Sequence, residues 1–284
     1  MSVNKLLVAG AGQMGAGIVQ VSAVAGLDVV MIDVAEEFIA RGIAGIEKGL
    51  GRMVDTGRME AAARDAALAR ITTSTDMAAG ADADLFVEAA PEVMEIKQGL
   101  FEAASRILRP DAVIATNTSS LSVSALAAFV TGPERFAGIH FFNPVPVMAL
   151  VEVVRGEKTS DATLAAARAY AEAVGKTAIT VSDSPGFVVN RILFPMINEA
   201  ANAYAEGVAG ADDIDTGMKL GTNWPMGPLA LADLVGLDTT KAVLETFERE
   251  LGDAKYHPAA ILGELVAAGK LGRKSGAGFF DYGK

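Results

Sequence analysis

The stretch Val3-Asn4-Lys5-Leu6-Leu7-Val8-Ala9-Gly10-Ala11-Gly12-Gln13-Met14-Gly15 decides the fold. Residues 3–9 form a short apolar run ending at glycine, the pattern of a strand buried on both faces. A helical stretch follows to Ala25, where Gly26 breaks it. Strand, G-x-G-x-x-G and helix in this order suit a turn that cradles a dinucleotide pyrophosphate. Gly10 permits the tight turn, Gly12 lets the backbone approach the phosphates, and Gly15 allows the helix to pack closely on the strand. The helix N-terminus adds free N–H groups and a positive dipole end. With 30 glycines in the chain, the spacing alone would also fit a merely structural turn. The next strand-like run settles the choice. Val29 to Ile32 ends on Asp33, 23 residues after Gly10. A carboxylate there can bind both hydroxyls of an adenosine ribose and would repel a 2′-phosphate. The expected cofactor is NAD, held by Gly10, Ala11, Gly12, Gln13, Met14, Gly15 and Asp33.

Outward from this unit, residues 35–69 are Ala-rich with helical periodicity. Short strands are expected at 71–73, 85–87 and 112–116, with helical segments between them, and further strand-like pieces at 136–141, 150–154 and 178–181. Alternating strands and helices are the signature of a doubly wound parallel sheet. The character changes at Asp183-Ser184-Pro185-Gly186, beyond which helical patterns dominate. The expected class is α/β: a Rossmann-type sheet domain over 1–184, then an all-α domain over 185–284. From Gly186 to Tyr204 the chain is apolar on most helical faces, which suits a bundle core or a subunit interface.

Composition narrows the function. Hydrophobic residues make up 51% and charged residues 21%, a globular balance. The net charge is −11, and no basic stripe is visible, so nucleic acid is not an expected partner. The chain has no cysteine, which removes disulfides, thiolate catalysis and Cys-ligated zinc and favours an intracellular protein. No signal-peptide pattern is read at Met1-Ser2-Val3-Asn4-Lys5, and no run long enough to span a membrane appears. The expected location is cytoplasmic. Asp212-Asp213-Ile214-Asp215 lacks the ligand spacing of a calcium loop and reads as a helix start capped at Asp212 or Asp213. No metal is expected.

Only two histidines are present, His140 and His257. His140 ends a strand-like segment, where an open α/β sheet presents its ligands, and imidazole is the side chain best poised for proton transfer near neutrality. A lone histidine among apolar neighbours also fits a satisfied core residue. His257 precedes Pro258 in a polar stretch and reads as a loop residue.

Five motifs then occur in order: Asn117-Thr118-Ser119-Ser120; His140-Phe141-Phe142-Asn143-Pro144; Asp183-Ser184-Pro185-Gly186-Phe187-Val188-Val189-Asn190-Arg191; Met218-Lys219-Leu220-Gly221; and Pro225-Met226-Gly227-Pro228. Together they closely resemble the L-3-hydroxyacyl-CoA dehydrogenase family, and the similarity runs to Gly278-Phe279-Phe280-Asp281-Tyr282. The resemblance implies NAD-dependent oxidation of an (S)-3-hydroxyacyl-CoA to the 3-oxoacyl-CoA, and the reverse, as in fatty-acid β-oxidation. A short-chain substrate such as 3-hydroxybutyryl-CoA is expected. It implies His140 as the base, Glu152 as the carboxylate on the far ring nitrogen, and Ser119 and Asn190 as polar groups holding the reacting oxygen and the nicotinamide side. It points to Glu92, Lys97, Ser119, Asn143 and Lys274 as cofactor contacts. For the acyl-CoA, the family's serine position falls near Gly49, so Arg52 and Arg58 are the expected phosphate partners beside Ser119 and Asn190. It also implies a homodimer. Taken singly, Glu92, Lys97, Lys274 and Glu152 read as solvated charges. Two other readings stay open: a dehydrogenase of a free 3-hydroxy (sugar) acid, and a non-catalytic NAD-binding protein of the same fold.

Overall fold

The structure, a computed structural model, describes residues 3–283. The outer bounds of the two expected domains, at Met1, Ser2 and Lys284, lie outside the described residues. The chain divides into two compact units that meet in sequence between Phe187 and Val188.

In the first unit β1 (Lys5–Ala9) leads into α1 (Gln13–Val24), then β2 (Asp28–Ile32), α2 (Glu36–Asp55), α3 (Ala61–Ala69) and β3 (Ile71–Ser74). There follow β4 (Leu85–Glu88), α4 (Met94–Ile107), β5 (Val113–Thr116), the one-turn α5 (Val123–Leu126), β6 (Phe136–Phe141), β7 (Leu150–Arg155), α6 (Asp161–Ala173) and β8 (Thr177–Ser182). The eight strands form one sheet in the order β3-β2-β1-β4-β5-β6-β7-β8. The order reverses between β1 and β4, the switch point where an open α/β sheet binds its ligand.

Helices cover both faces, which explains the uninterrupted apolar strands. Leu6 and Val8 of β1 pack in one layer with Ile18, Val19, Ile46 and Leu50. Leu7 and Ala9 pack in the other with Phe86, Phe101 and Phe136. Buried Ile39, Gly42, Ile46 and Leu50 recur at helical spacing along α2, so one stripe of that helix meets α1 and the sheet.

Two expectations need correction here. The sheet is not wholly parallel, because β7 runs antiparallel to β6. Residues 142–149 between them are too few for a helical crossover, so the chain turns straight back. The helical stretch 35–69 is two helices, broken at Thr56-Gly57 where Gly57 takes a left-handed conformation.

The second unit holds α7 (Val189–Ala205), α8 (Ala211–Gly221), α9 (Pro228–Val235), α10 (Leu237–Leu251) and α11 (Ala260–Ala267), with no strand among the described residues. Its core is built from Phe194, Ile197, Leu229, Leu237, Leu244, Phe247 and Leu262. A third correction falls in α8: its cap residue is Gly210, with Asp212 and Asp213 inside the first turn. Asp215 is buried and accepts hydrogen bonds from the main-chain N–H groups of Leu229 (2.9 Å) and Ala230 (2.8 Å), so it caps α9 instead. Among the described residues no helix is long and apolar enough to cross a membrane.

Candidate active site

The carboxyl ends of β1 and β4 open into a cavity of about 860 Å³. Gly10, Ala11, Gly12, Gln13, Met14 and Asp33 line it, with Phe38 and Arg41 of α2 and Ala89 to Pro91. A Cβ added at Gly12 would meet nothing within 4 Å, so the turn is open to a ligand there. At Gly15 an added Cβ would collide with the Gly10 carbonyl oxygen, which makes that glycine a packing requirement of the turn. Asp33 receives the Ala11 N–H on Oδ2 (2.7 Å) and the Val34 N–H on Oδ1 (2.7 Å), which anchors its carboxylate beside the glycine turn. Size, a donor-rich turn and an acid at the rim fit NAD.

His140 and Glu152 face each other as a register pair of β6 and β7. His140 Nδ1 stands 2.8 Å from Glu152 Oε2, and both side chains are buried. A carboxylate only accepts, so Nδ1 carries the proton in this pair. Nε2 makes no hydrogen bond among the described residues. No buried side-chain nitrogen or oxygen there lacks a partner, so Nε2 reaches an opening to the surface. The antiparallel turn back to β7, which the sequence did not reveal, is what brings residue 152 opposite residue 140.

Behind the β4 end lies a network centred on Glu88, a residue that sequence reading missed. Glu88, the last residue of β4, is fully buried and accepts from Lys97 Nζ (2.6 Å), Thr116 Oγ1 (2.7 Å) and the Ala90 N–H (2.6 Å). Lys97 is itself 1% exposed, so it is no solvated charge. Its ammonium also lies 3.5 Å from Glu92. Glu92 accepts from Thr118 Oγ1 (2.8 Å) and the Ser119 N–H (3.3 Å), so it braces the loop that presents exposed Ser119. The signal for Glu88 was an acid closing a wholly apolar strand. Asn117 accepts the Phe141 N–H at 2.9 Å and ties the same loop to β6.

Exposed Asn143 starts the turn after β6. Lys176, just before β8, donates to the carbonyls of Val145 (2.6 Å) and Met148 (2.8 Å) and so clips this turn to the sheet. Burial pulls the Lys176 ammonium below its usual range. Arg52 and Arg58 are exposed at the end of α2 and just beyond it. Gly49 lies against Gln20 of α1, where a Cβ would stand 2.8 Å from the amide oxygen; helix packing therefore accounts for glycine at that position. In the second unit Asn190 is half-buried near the start of α7, and Lys274 pairs with Asp238, whose carboxyl the ammonium holds below the usual range. His257 is exposed beside Glu248. Among the described residues no cluster of three or more His, Cys, Asp or Glu could hold a metal ion.

A dinucleotide cleft at the switch point and an imidazole near the carboxyl end of β6, two strands along from β4, make the sheet unit the NAD-binding part of an oxidoreductase. Comparison with known proteins narrows that class. Residues 5–184 match the family model described as 3-hydroxyacyl-CoA dehydrogenase, NAD binding domain, and residues 186–282 that of the C-terminal domain. The chain belongs to the 3-hydroxyacyl-CoA dehydrogenase family and is an NAD-dependent oxidoreductase. It is 50% identical to the probable 3-hydroxybutyryl-CoA dehydrogenase of Deinococcus radiodurans, over 98% of this chain and 100% of that one. It is 46% identical to the 3-hydroxybutyryl-CoA dehydrogenase of Bradyrhizobium diazoefficiens, over 99% and 96%. The crystal structure of (S)-3-hydroxybutyryl-CoA dehydrogenase from Ralstonia eutropha superposes with a TM-score of 0.97, at 48% identity, covering 100% of both chains.

Proposed function

We propose that the protein oxidises the 3-hydroxyl of a short-chain (S)-3-hydroxyacyl-CoA, with 3-hydroxybutyryl-CoA the foremost candidate, and runs the reverse reduction. The names of the relatives support the substrate class. The observation that carries the mechanism is the buried His140–Glu152 pair. With Nδ1–H held by the carboxylate, Nε2 presents its lone pair and takes the hydroxyl proton as C3 is oxidised. Glu152 then faces an imidazolium and stabilises it, the orienting role of the acid in hydrolase triads. Bound NAD supplies the hydride acceptor. Gly10 to Gly15 and Asp33 hold its pyrophosphate and ribose; Glu92 and Lys97 sit behind the Ser119 loop, and with Asn143 they are assigned as cofactor contacts by the family resemblance. Ser119 is assigned to the reacting oxygen by the family resemblance. Asn190, Lys274, the phosphate contacts of Arg52 and Arg58, a homodimer and a cytoplasmic setting rest on the family resemblance.

NADH consumption with acetoacetyl-CoA, against free acetoacetate, tests the substrate class; turnover of the free acid alone would overturn it. His140→Gln should lower kcat by about 10²–10⁴-fold, the usual worth of a general base. Near-normal turnover would remove His140 from the role.

A further inference from the structure

The segment Asp183-Ser184-Pro185-Gly186-Phe187 marks the junction between the two units in sequence and opens one of the family motifs, and its geometry is built around His140. Asp183 accepts from Ser122 Oγ (2.7 Å), the Val123 N–H (3.1 Å) and the Ser124 N–H (2.7 Å), which fastens the end of β8 to the start of α5. The Phe187 N–H then donates to the Ser184 carbonyl at 2.9 Å and closes a turn. Within that turn two successive residues are left-handed, Gly186 at φ +75° and Phe187 at φ +50°. Glycine adopts this conformation freely; a phenylalanine does not, and it persists there only where the surroundings enforce it. What the strained backbone achieves is placement of the ring. Phe187 is 5% exposed, and its centroid lies 5.5 Å from that of His140, with the planes inclined at 59°. Phe142 lies at 4.6 Å from the same imidazole.

We propose that Phe187 is a positioning residue for His140. The proposal rests on the reading of His140 as the base. Glu152 fixes one ring nitrogen, and rocking about that bond is limited by the two rings against the imidazole, Phe142 and Phe187. The Phe187 ring supplies the wall on its side that stops the rocking. Nε2 is thereby held at one angle to the substrate hydroxyl.

The experiment compares wild type with Phe187→Leu, Phe187→Ala and Phe187→Gly in the full chain, with His257→Asn as background so that His140 is the only labelled histidine. Three quantities are read: kcat and KM for NADH and acetoacetyl-CoA, thermal midpoint, and the ¹⁵N ring signals of His140. We expect kcat to fall in the order Phe, Leu, then Ala and Gly together, by about 10- to 100-fold for the last two, because misplacing a reacting group carries losses of that size. Both KM values should stay within about twofold, as for a loss confined to the chemical step. The Nδ1 and Nε2 signals should broaden in the same order. Phe187→Gly separates positioning from folding: glycine suits φ +50°, so this variant should be the more stable of the two smallest while remaining as slow as Ala. Rates that follow the thermal midpoint, or His140 signals unchanged in Phe187→Ala, overturn the proposal. Should Phe187→Ala fail to fold, Phe187→Leu and Phe187→Gly decide by the same criteria. His140→Gln in parallel keeps the two ideas apart: its near-normal turnover sinks the base, whereas unchanged ring signals in the Phe187 variants sink the positioning.

Discussion

The cofactor preference proposed for Asp33 rests on a carboxylate whose two oxygens are both engaged. Both already accept a main-chain N–H, one from Ala11 and one from Val34, so the carboxylate is aimed before any ligand arrives. Asp33→Ala should therefore weaken NADH binding by about 10- to 100-fold, the worth of lost hydrogen bonds to a charged group. Part of that loss, through the loosened Ala11 turn, will fall on NADPH as well. The ratio of the two affinities is the informative quantity, and fluorescence titration of both cofactors measures it. An unchanged ratio would mean that Asp33 shapes the turn without reading the ribose. Asp33 and the glycines were legible in the sequence because turn motif, strand period and acid all lie within one short span of chain. Lys97 was not legible in the same way. Nine residues after Glu88, on an amphipathic helix, it reads as a solvated charge, and only the fold lays α4 over the end of β4 to bury the pair.

At the scale of elements, local signals found the strands and missed the reversal of direction at β7. The register pair of residues 140 and 152 depends on a turn without a helix, and the sequence of 142–149 carries no strong hairpin signal to announce it. Helix capping was misplaced for a related reason. Asp212 and Asp213 stand in the first turn of α8, but the acid that caps a helix is Asp215, and the helix is α9. The motif Pro225-Met226-Gly227-Pro228 follows from this contact. Gly227 lies so close to Asp215 that any Cβ would collide with the carboxylate, and Pro228 at the first helical position gives up no needed donor. Asp215→Ala should lower the stability of the protein by about 1–2 kcal/mol through loss of the cap. That corresponds to a drop in thermal midpoint of about 2–8 °C for a chain of this size. Asp215→Asn, which keeps an acceptor oxygen, should lose less. A midpoint for the alanine variant at or above wild type would show that the cap contributes nothing.

For the whole molecule, the acid and alkaline limits of stability follow from groups in both units. Asp82 and Asp84 in the first, and Asp238 and Asp253 in the second, all sit below the ordinary carboxyl value of 3.8. For Asp84 burial pulls upward, and the N–H groups of Asn4 and Lys5 with the Arg109 guanidinium outweigh it. The folded chain thus holds fewer protons than the unfolded chain just below 3.8, and stability rises with pH through that interval. The contribution is complete above 3.8 and is lost as pH falls through the folded-state values. At the other end, burial holds the Tyr170 hydroxyl above its ordinary value of 10.0, so its contribution is present below 10.0 and lost as pH rises beyond it. Lys176, lowered by burial from 10.5, works in the opposite sense there and gains stability as the lysine discharges. The acid limb gives the cleaner test, because its groups share one sign. Asp82, Asp238 and Asp253 act through exposed side chains that salt screens, whereas Asp84 acts largely through main-chain donors that fix the start of β1. Asp84→Asn keeps an acceptor oxygen and removes the charge. In 0.5 M salt, urea unfolding followed by far-UV circular dichroism should show it about 1–2 kcal/mol less stable than wild type at pH 7, the difference between charged and neutral hydrogen bonds. The gap should close as pH falls well below 3.8, where both chains carry an uncharged group at this position. A gap that stayed constant down to strong acid would mean that the loss came from packing, and that the Asp84 charge contributes nothing to the fold.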